Sequence, residues 1–130
     1  MKLTVCLALT ALALFSRAVL ALDIQPYDAA RFAQAQAAGN VTVLQFHSGW
    51  CPICIMQERG VKELKEGKDA RALERVTVFV ADFLKDAELR QRYSVTTFAT
   101  LVVFRGTEEK ARATGDFQPD KLKQLFDKAL

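Results

Sequence analysis

The chain has 130 residues, 51% of them hydrophobic and 25% charged, enough for one packed core and too apolar for a disordered segment. Its net charge of +3 falls to +1 without the first 21 residues, which hold Lys2 and Arg17 and no acid and so leave 16 of the 18 basic residues against 15 acidic ones. That balance excludes an electrostatic case for nucleic acid or for an anionic membrane surface.

The first 21 residues differ in kind from the rest. Lys2 makes a short positive start, residues 3–15 are almost wholly apolar, and Val19, Leu20 and Ala21 place small side chains at a cleavage position. This predicts a signal peptide over residues 1–21, a single domain over residues 22–130, and a periplasmic or secreted location. The apolar run is shorter than the roughly 20 residues a membrane span needs, and Arg17 interrupts it, so no stable membrane insertion is expected after cleavage. Cys6 is an apolar filler that leaves with the segment. Cys51 and Cys54 remain, in a compartment that permits disulfides.

Residues 28–38 are Ala-rich, with Asp28 as N-cap and Gly39 just past the end, and read as a first helix. Residues 41–46 are apolar and β-branched between two turn signals, Gly39-Asn40 and Ser48-Gly49, and read as a buried strand. Trp50-Cys51-Pro52-Ile53-Cys54 leads into helix formers as far as Leu64, with Pro52 acceptable only in the first turn. A short helix is expected over residues 69–75, a second buried strand over 76–81, and another helix over 85–93. Residues 100–104 and 109–114 flank Gly106-Thr107 as a hairpin, and residues 119–130 close as a helix with Leu122, Leu125, Phe126 and Leu130 on one face. The order βαβ then ββα predicts an α/β sandwich with a mixed central sheet.

The chemistry lies in the cysteine pair. A thiolate, not a thiol, attacks a disulfide, and at a helix start the sulfur of Cys51 faces unpaired backbone N–H groups and the positive end of the macrodipole. Cys54 sits one turn on. The first sulfur of such a motif is the exposed one, which makes Cys51 the nucleophile and Cys54 the resolving thiol. Trp50 either shields the pair and offers a flat apolar contact to a substrate chain or packs into the core. Pro52 stiffens the turn or simply starts the helix.

Residues 43–54, with their strand, aromatic-flanked Cys-x-x-Cys and following helix, resemble thioredoxins. Asp82 after the second strand, Tyr93-Ser94-Val95, residues 100–104 and the Gly106 turn continue the likeness in family order over the whole mature chain. The resemblance implies a thioredoxin-like three-layer sandwich and thiol–disulfide interchange with no organic cofactor beyond the Cys51–Cys54 disulfide. Glu58 and the long interval from Asp82 to Tyr93 are most similar to exported members, which implies exported cysteine-containing proteins as partners and a membrane electron donor.

Two positions depart from the family. Ala99 stands where thioredoxins place a cis-proline; a cis bond before alanine costs about 3 kcal/mol, so a trans bond and a reshaped loop are expected, with altered substrate pairing at Phe98 and Ala99. Gln45 matches a buried aspartate that moves protons for the second cysteine, and glutamine cannot titrate. Glu58, one turn beyond Cys54, either substitutes for that carboxylate or is an ordinary exposed helix glutamate.

His47, the only histidine, gives with the two sulfurs three possible metal ligands, short of the four that structural zinc takes, so no metal is expected. The leading expectation is a thiol–disulfide oxidoreductase working in the reducing or interchange direction. The alternative is a binding module with weak turnover that holds a partner protein through the Ala99 loop. A purely structural disulfide is a poor reading, because closing so short a loop removes little chain entropy.

Overall fold

The computed structural model describes residues 21–130. Apart from Ala21, the expected signal peptide, with Cys6 inside it, lies outside the described residues. In chain order the elements are β1 (Asp23–Pro26), α1 (Ala29–Ala37), β2 (Val41–His47), α2 (Pro52–Glu66), β3 (Val76–Asp82), α3 (Ala87–Arg92), β4 (Thr100–Arg105), β5 (Glu108–Thr114) and α4 (Pro119–Asp127). Five strands form one sheet in the order β1-β3-β2-β4-β5. β1 and β2 run parallel to β3, while β4 is antiparallel to β2 and to β5. This is the mixed sheet expected from the element order.

Alternation of side chains across the pleat divides the core between the two faces. Val41, Val43, Val76, Val78, Leu101 and Val103 meet Val61 and Leu64 of α2 and Leu122, Leu125 and Phe126 of α4. Leu44, Phe46, Phe79, Val102 and Phe104 meet Phe32 of α1 and Leu89 of α3 on the other. Helices thus cover both faces of the sheet, and β2, its middle strand, is buried through Phe46. The active segment follows β2 directly, so the most enclosed strand delivers the cysteines to the rim of the sheet.

Local signals account for most boundaries. The Asp28 side chain accepts the Arg31 N–H at 2.9 Å and starts α1, and Gly39 at φ +75° ends it. Pro52 and Pro119 begin α2 and α4, where a missing N–H is no loss. The closing helix, expected through residue 130, ends at Asp127, and Leu130, expected on its apolar face, is exposed beyond it. β1 is an addition to the expected elements, because Asp23-Ile24-Gln25-Pro26 is a short, half-exposed edge strand with no alternation to read. The helix expected over residues 69–75 shrinks to a 3-10 turn at Ala70–Leu73. The one expected from residue 85 starts at Ala87, because the Asp82 carboxylate takes the N–H groups of Leu84 and Lys85 at 2.9 Å each and holds a turn there.

Candidate active site

Cys51 is the N-cap of α2, and its Sγ accepts the N–H of Cys54 at 3.4 Å. A sulfur that already receives a helix N–H in the neutral state receives it more strongly as an anion. The N–H of Cys51 bonds the Ser48 carbonyl at 3.2 Å, which fixes the turn between β2 and the helix. Both cysteines are free thiols. The expected exposed first sulfur is corrected here: Cys51 is only 6% exposed, against 0% for Cys54, so access to it is narrow. Burial, followed by the hydrogen bond with Cys51, pushes the Cys54 thiol up from 9.0 to about 11.

Cys51, Cys54 and Ala99 form one buried cluster, with Ile53 and Phe98 packed against it. Trp50 does not enter the core: it is 66% exposed, with its ring 5.0 Å from that of Phe98. Phe98 in turn lies 4.0 Å from Phe83, and the Arg90 guanidinium sits 4.3 Å over the Phe83 ring. A supported apolar ledge therefore flanks the sulfurs, with Trp50 at its open end. Pro52 is exposed in the first turn of α2.

The Phe98–Ala99 bond is trans, as are all the described peptide bonds. Ala99 is fully buried and adopts φ +57°, a left-handed conformation that costs a residue with a Cβ about 1–2 kcal/mol. Its backbone is tied down on both sides. The N–H donates to the Phe46 carbonyl at 3.1 Å, and the carbonyl accepts from the Gly115 N–H at 3.0 Å and from Gln57 Nε2 at 2.9 Å. With both groups engaged inside the protein, Ala99 presents its methyl to the sulfurs rather than an open strand edge to a substrate.

Glu58 turns away from the pair. Its carboxylate meets Lys62 at 2.9 Å and His47 Nε2 at 3.7 Å, and the Lys62 hydrogen bond keeps it below the ordinary carboxylate range, ionised at neutral pH. Gln45 is 1% exposed and donates through Nε2 to Gln57 Oε1 at 3.5 Å. Gln57 joins the site without belonging to any motif of the sequence. Its signal was present: in the buried stripe Cys54, Gln57, Val61, Leu64 of α2 it is the one hydrogen-bonding amide. Among the described residues no three His, Cys, Asp or Glu side chains gather as metal ligands.

Comparison with known proteins agrees with this geometry. The thioredoxin family model matches residues 23–128. A thioredoxin of Chlamydia trachomatis serovar D is 29% identical over 105 residues, covering 81% of this chain and 97% of the relative. The structure of Trxlp from Edwardsiella tarda EIB202 superposes with a TM-score of 0.73 at 30% identity, covering 80% of this chain and 98% of that one. Malassezia sympodialis thioredoxin, at 18% identity and a TM-score of 0.68, covers 88% of this chain and 97% of its own and shares the fold. The match runs from β1 through α4 and includes the cysteine pair at the head of α2, so the chain belongs to the thioredoxin family, a family of thiol–disulfide oxidoreductases.

Proposed function

We propose that the protein reduces or interchanges disulfides in exported cysteine-containing proteins, in the periplasm or outside the cell, and is recharged by a membrane electron donor. The Cys51 thiolate attacks one sulfur of a substrate disulfide, forming a mixed disulfide and expelling the other sulfur as a thiolate. Cys54 loses its proton and attacks Cys51 Sγ, which closes the Cys51–Cys54 disulfide and frees the second substrate sulfur. The substrate gains two electrons and the protein loses two. Trp50, Pro52, Phe98 and Ala99 bound the approach to Cys51, and the Trp50–Phe98 ledge offers apolar contact beside it.

The observation that carries this reading is the N-cap position of Cys51, with Cys54 buried one turn behind it. Insulin reduction by the full chain, with alkylation of Cys51→Ser and Cys54→Ser at pH 7, tests it. The thiol left at Cys51 should react faster than the one left at Cys54, and only the intact pair should turn over. Equal alkylation rates would reverse the role assignment, and no reduction of insulin would remove the proposed direction.

One observation favours a second reading, a module that holds its partner with weak turnover. Gln45, where the family places a carboxylate, and Gln57 beside it are buried neutral amides that cannot take a proton, and the Glu58 carboxylate is engaged with Lys62 and His47, which favours slow release. A mixed disulfide at Cys51 that outlasts many rounds of attack would support holding; prompt release would exclude it.

A further inference from the structure

Ala99 shares one buried cluster with Cys51 and Cys54, so whatever holds Ala99 in place shapes the surroundings of the two sulfurs. Ala99 sits at φ +57°, a conformation that glycine takes freely and alanine resists. It persists only if its surroundings over-determine it. Two of its restraints are backbone bonds, to Phe46 and Gly115; the third comes from a side chain, Gln57.

Gln57 belongs to the helix that carries both cysteines, three residues beyond Cys54, and is 1% exposed. Its Nε2 donates to two backbone carbonyls far apart in the chain, Ala99 and Asp116, each at 2.9 Å. Its Oε1 accepts from Gln45 of β2. Both amide donors and the carbonyl are thus committed, and the donor pattern fixes which end of the amide faces Ala99. A residue that only filled space here would be apolar like Val61 and Leu64 on the same face.

We propose that Gln57 is a positioning residue: its buried amide ties the cysteine helix to the Ala99 carbonyl and so holds the left-handed turn that seats Ala99 against Cys51 and Cys54. It touches no reacting atom. It acts through Ala99, and its effect on turnover rests on the disulfide-reducing activity proposed above.

The test compares Gln57→Met, which keeps the length and loses the donors, in the wild-type and Ala99→Gly backgrounds of the full chain. In Gln57→Met the Ala99 and Gly115 amides should exchange with solvent about tenfold faster, while amides of β2 and β3 keep their protection. Insulin-reduction kcat/KM should fall about tenfold, the effect expected from the one of the three lost bonds that reaches Ala99. Alkylation of Cys51 by iodoacetamide should stay within about twofold, since the thiol itself is untouched. With glycine at 99 the turn needs no help, so the same substitution should lower kcat/KM by about threefold or less.

Equal losses in both backgrounds, or unchanged exchange at Ala99 in a folded Gln57→Met protein, would overturn the assignment. Gln57→Asn, shorter by one methylene, replaces the methionine variant if that fails to fold, and its amide-exchange outcomes are read the same way. Exchange separates this proposal from the activity it rests on. A wild type that reduces no disulfide, while the variant still frees the Ala99 amide, overturns the activity and upholds the tie. A wild type that reduces insulin, with exchange and kcat/KM unchanged in the variant, overturns the tie alone.

Discussion

The two sulfurs differ by position more than by chemistry. Cys51 takes a helix N–H, whereas Cys54 has none of the solvent that would stabilise its anion, and burial is the larger cause of its rise to about 11. Most of Cys54 is therefore protonated at neutral pH. Burial persists when Cys51 is in a mixed disulfide. The release step should therefore accelerate about tenfold for each unit of pH between 7 and 10, because only the thiolate attacks. Stopped-flow release from a trapped Cys51 mixed disulfide measures it, and a flat profile would show that proton loss from Cys54 does not limit the step. Ala99 supplies a second case at this scale. Proline at 99 would remove the N–H that bonds Phe46 and would force φ to about −65°, far from the +57° observed. Ala99→Pro should destabilise by more than about 1 kcal/mol in urea unfolding, and a protein that is unchanged in stability would mean that the loop rebuilds without strain.

At the scale of elements, α2 does two jobs, presenting the cysteines at one end and packing on the chain that enters α4. The contact is close because residue 60 has no side chain: a Cβ on Gly60 would run into the Phe117 carbonyl and lie 2.8 Å from Leu122 Cδ1. Backbone yields less readily than a side-chain tip, so Gly60→Ala should cost about 1–3 kcal/mol despite alanine's better helix propensity. Thermal and urea midpoints test this, and a stabilised variant would show that the Phe117 segment moves freely. The same displacement would reach Asp116, whose carbonyl Gln57 holds, so a loss of activity larger than the loss of stability is expected. The edge strands are plain by comparison. β5 carries Glu108, Glu109, Lys110 and Arg112 along an exposed ribbon, a charged edge that discourages pairing with another chain.

The described residues form one sheet with helices on both faces, and the first core residue among them is Leu22, 0% exposed on the α2 and α4 side of the sheet. Export processing is expected beside it. Mass spectrometry of the exported fraction should find an N-terminus near Leu22, and an intact chain recovered from membranes would argue for a retained anchor. Removing residues 1–21 should leave stability unchanged, whereas Leu22→Ala should cost about 2–5 kcal/mol, since it empties a buried site.

Much of this was legible in order of local strength. Asp28 and Gly39 bound α1, the β-branched run marks β2, and Trp50 through Cys54 marks the redox pair, because caps, strand patterning and a Cys-x-x-Cys motif act over a few neighbouring residues. What stayed hidden depends on partners distant in the chain. β1 is a strand only because β3 offers its edge, and the contacts of Glu58 with Lys62 and His47 cannot be read from spacing. The role of Gln57 required Ala99, Asp116 and Gln45 to converge on one amide from three other segments. The sequence alone thus determined the chemistry, a nucleophilic thiol at a helix start with a second thiol one turn on. The tertiary structure decided how that chemistry is enclosed, because burial, a left-handed turn at Ala99 and a shared amide arise only when separate segments pack against each other.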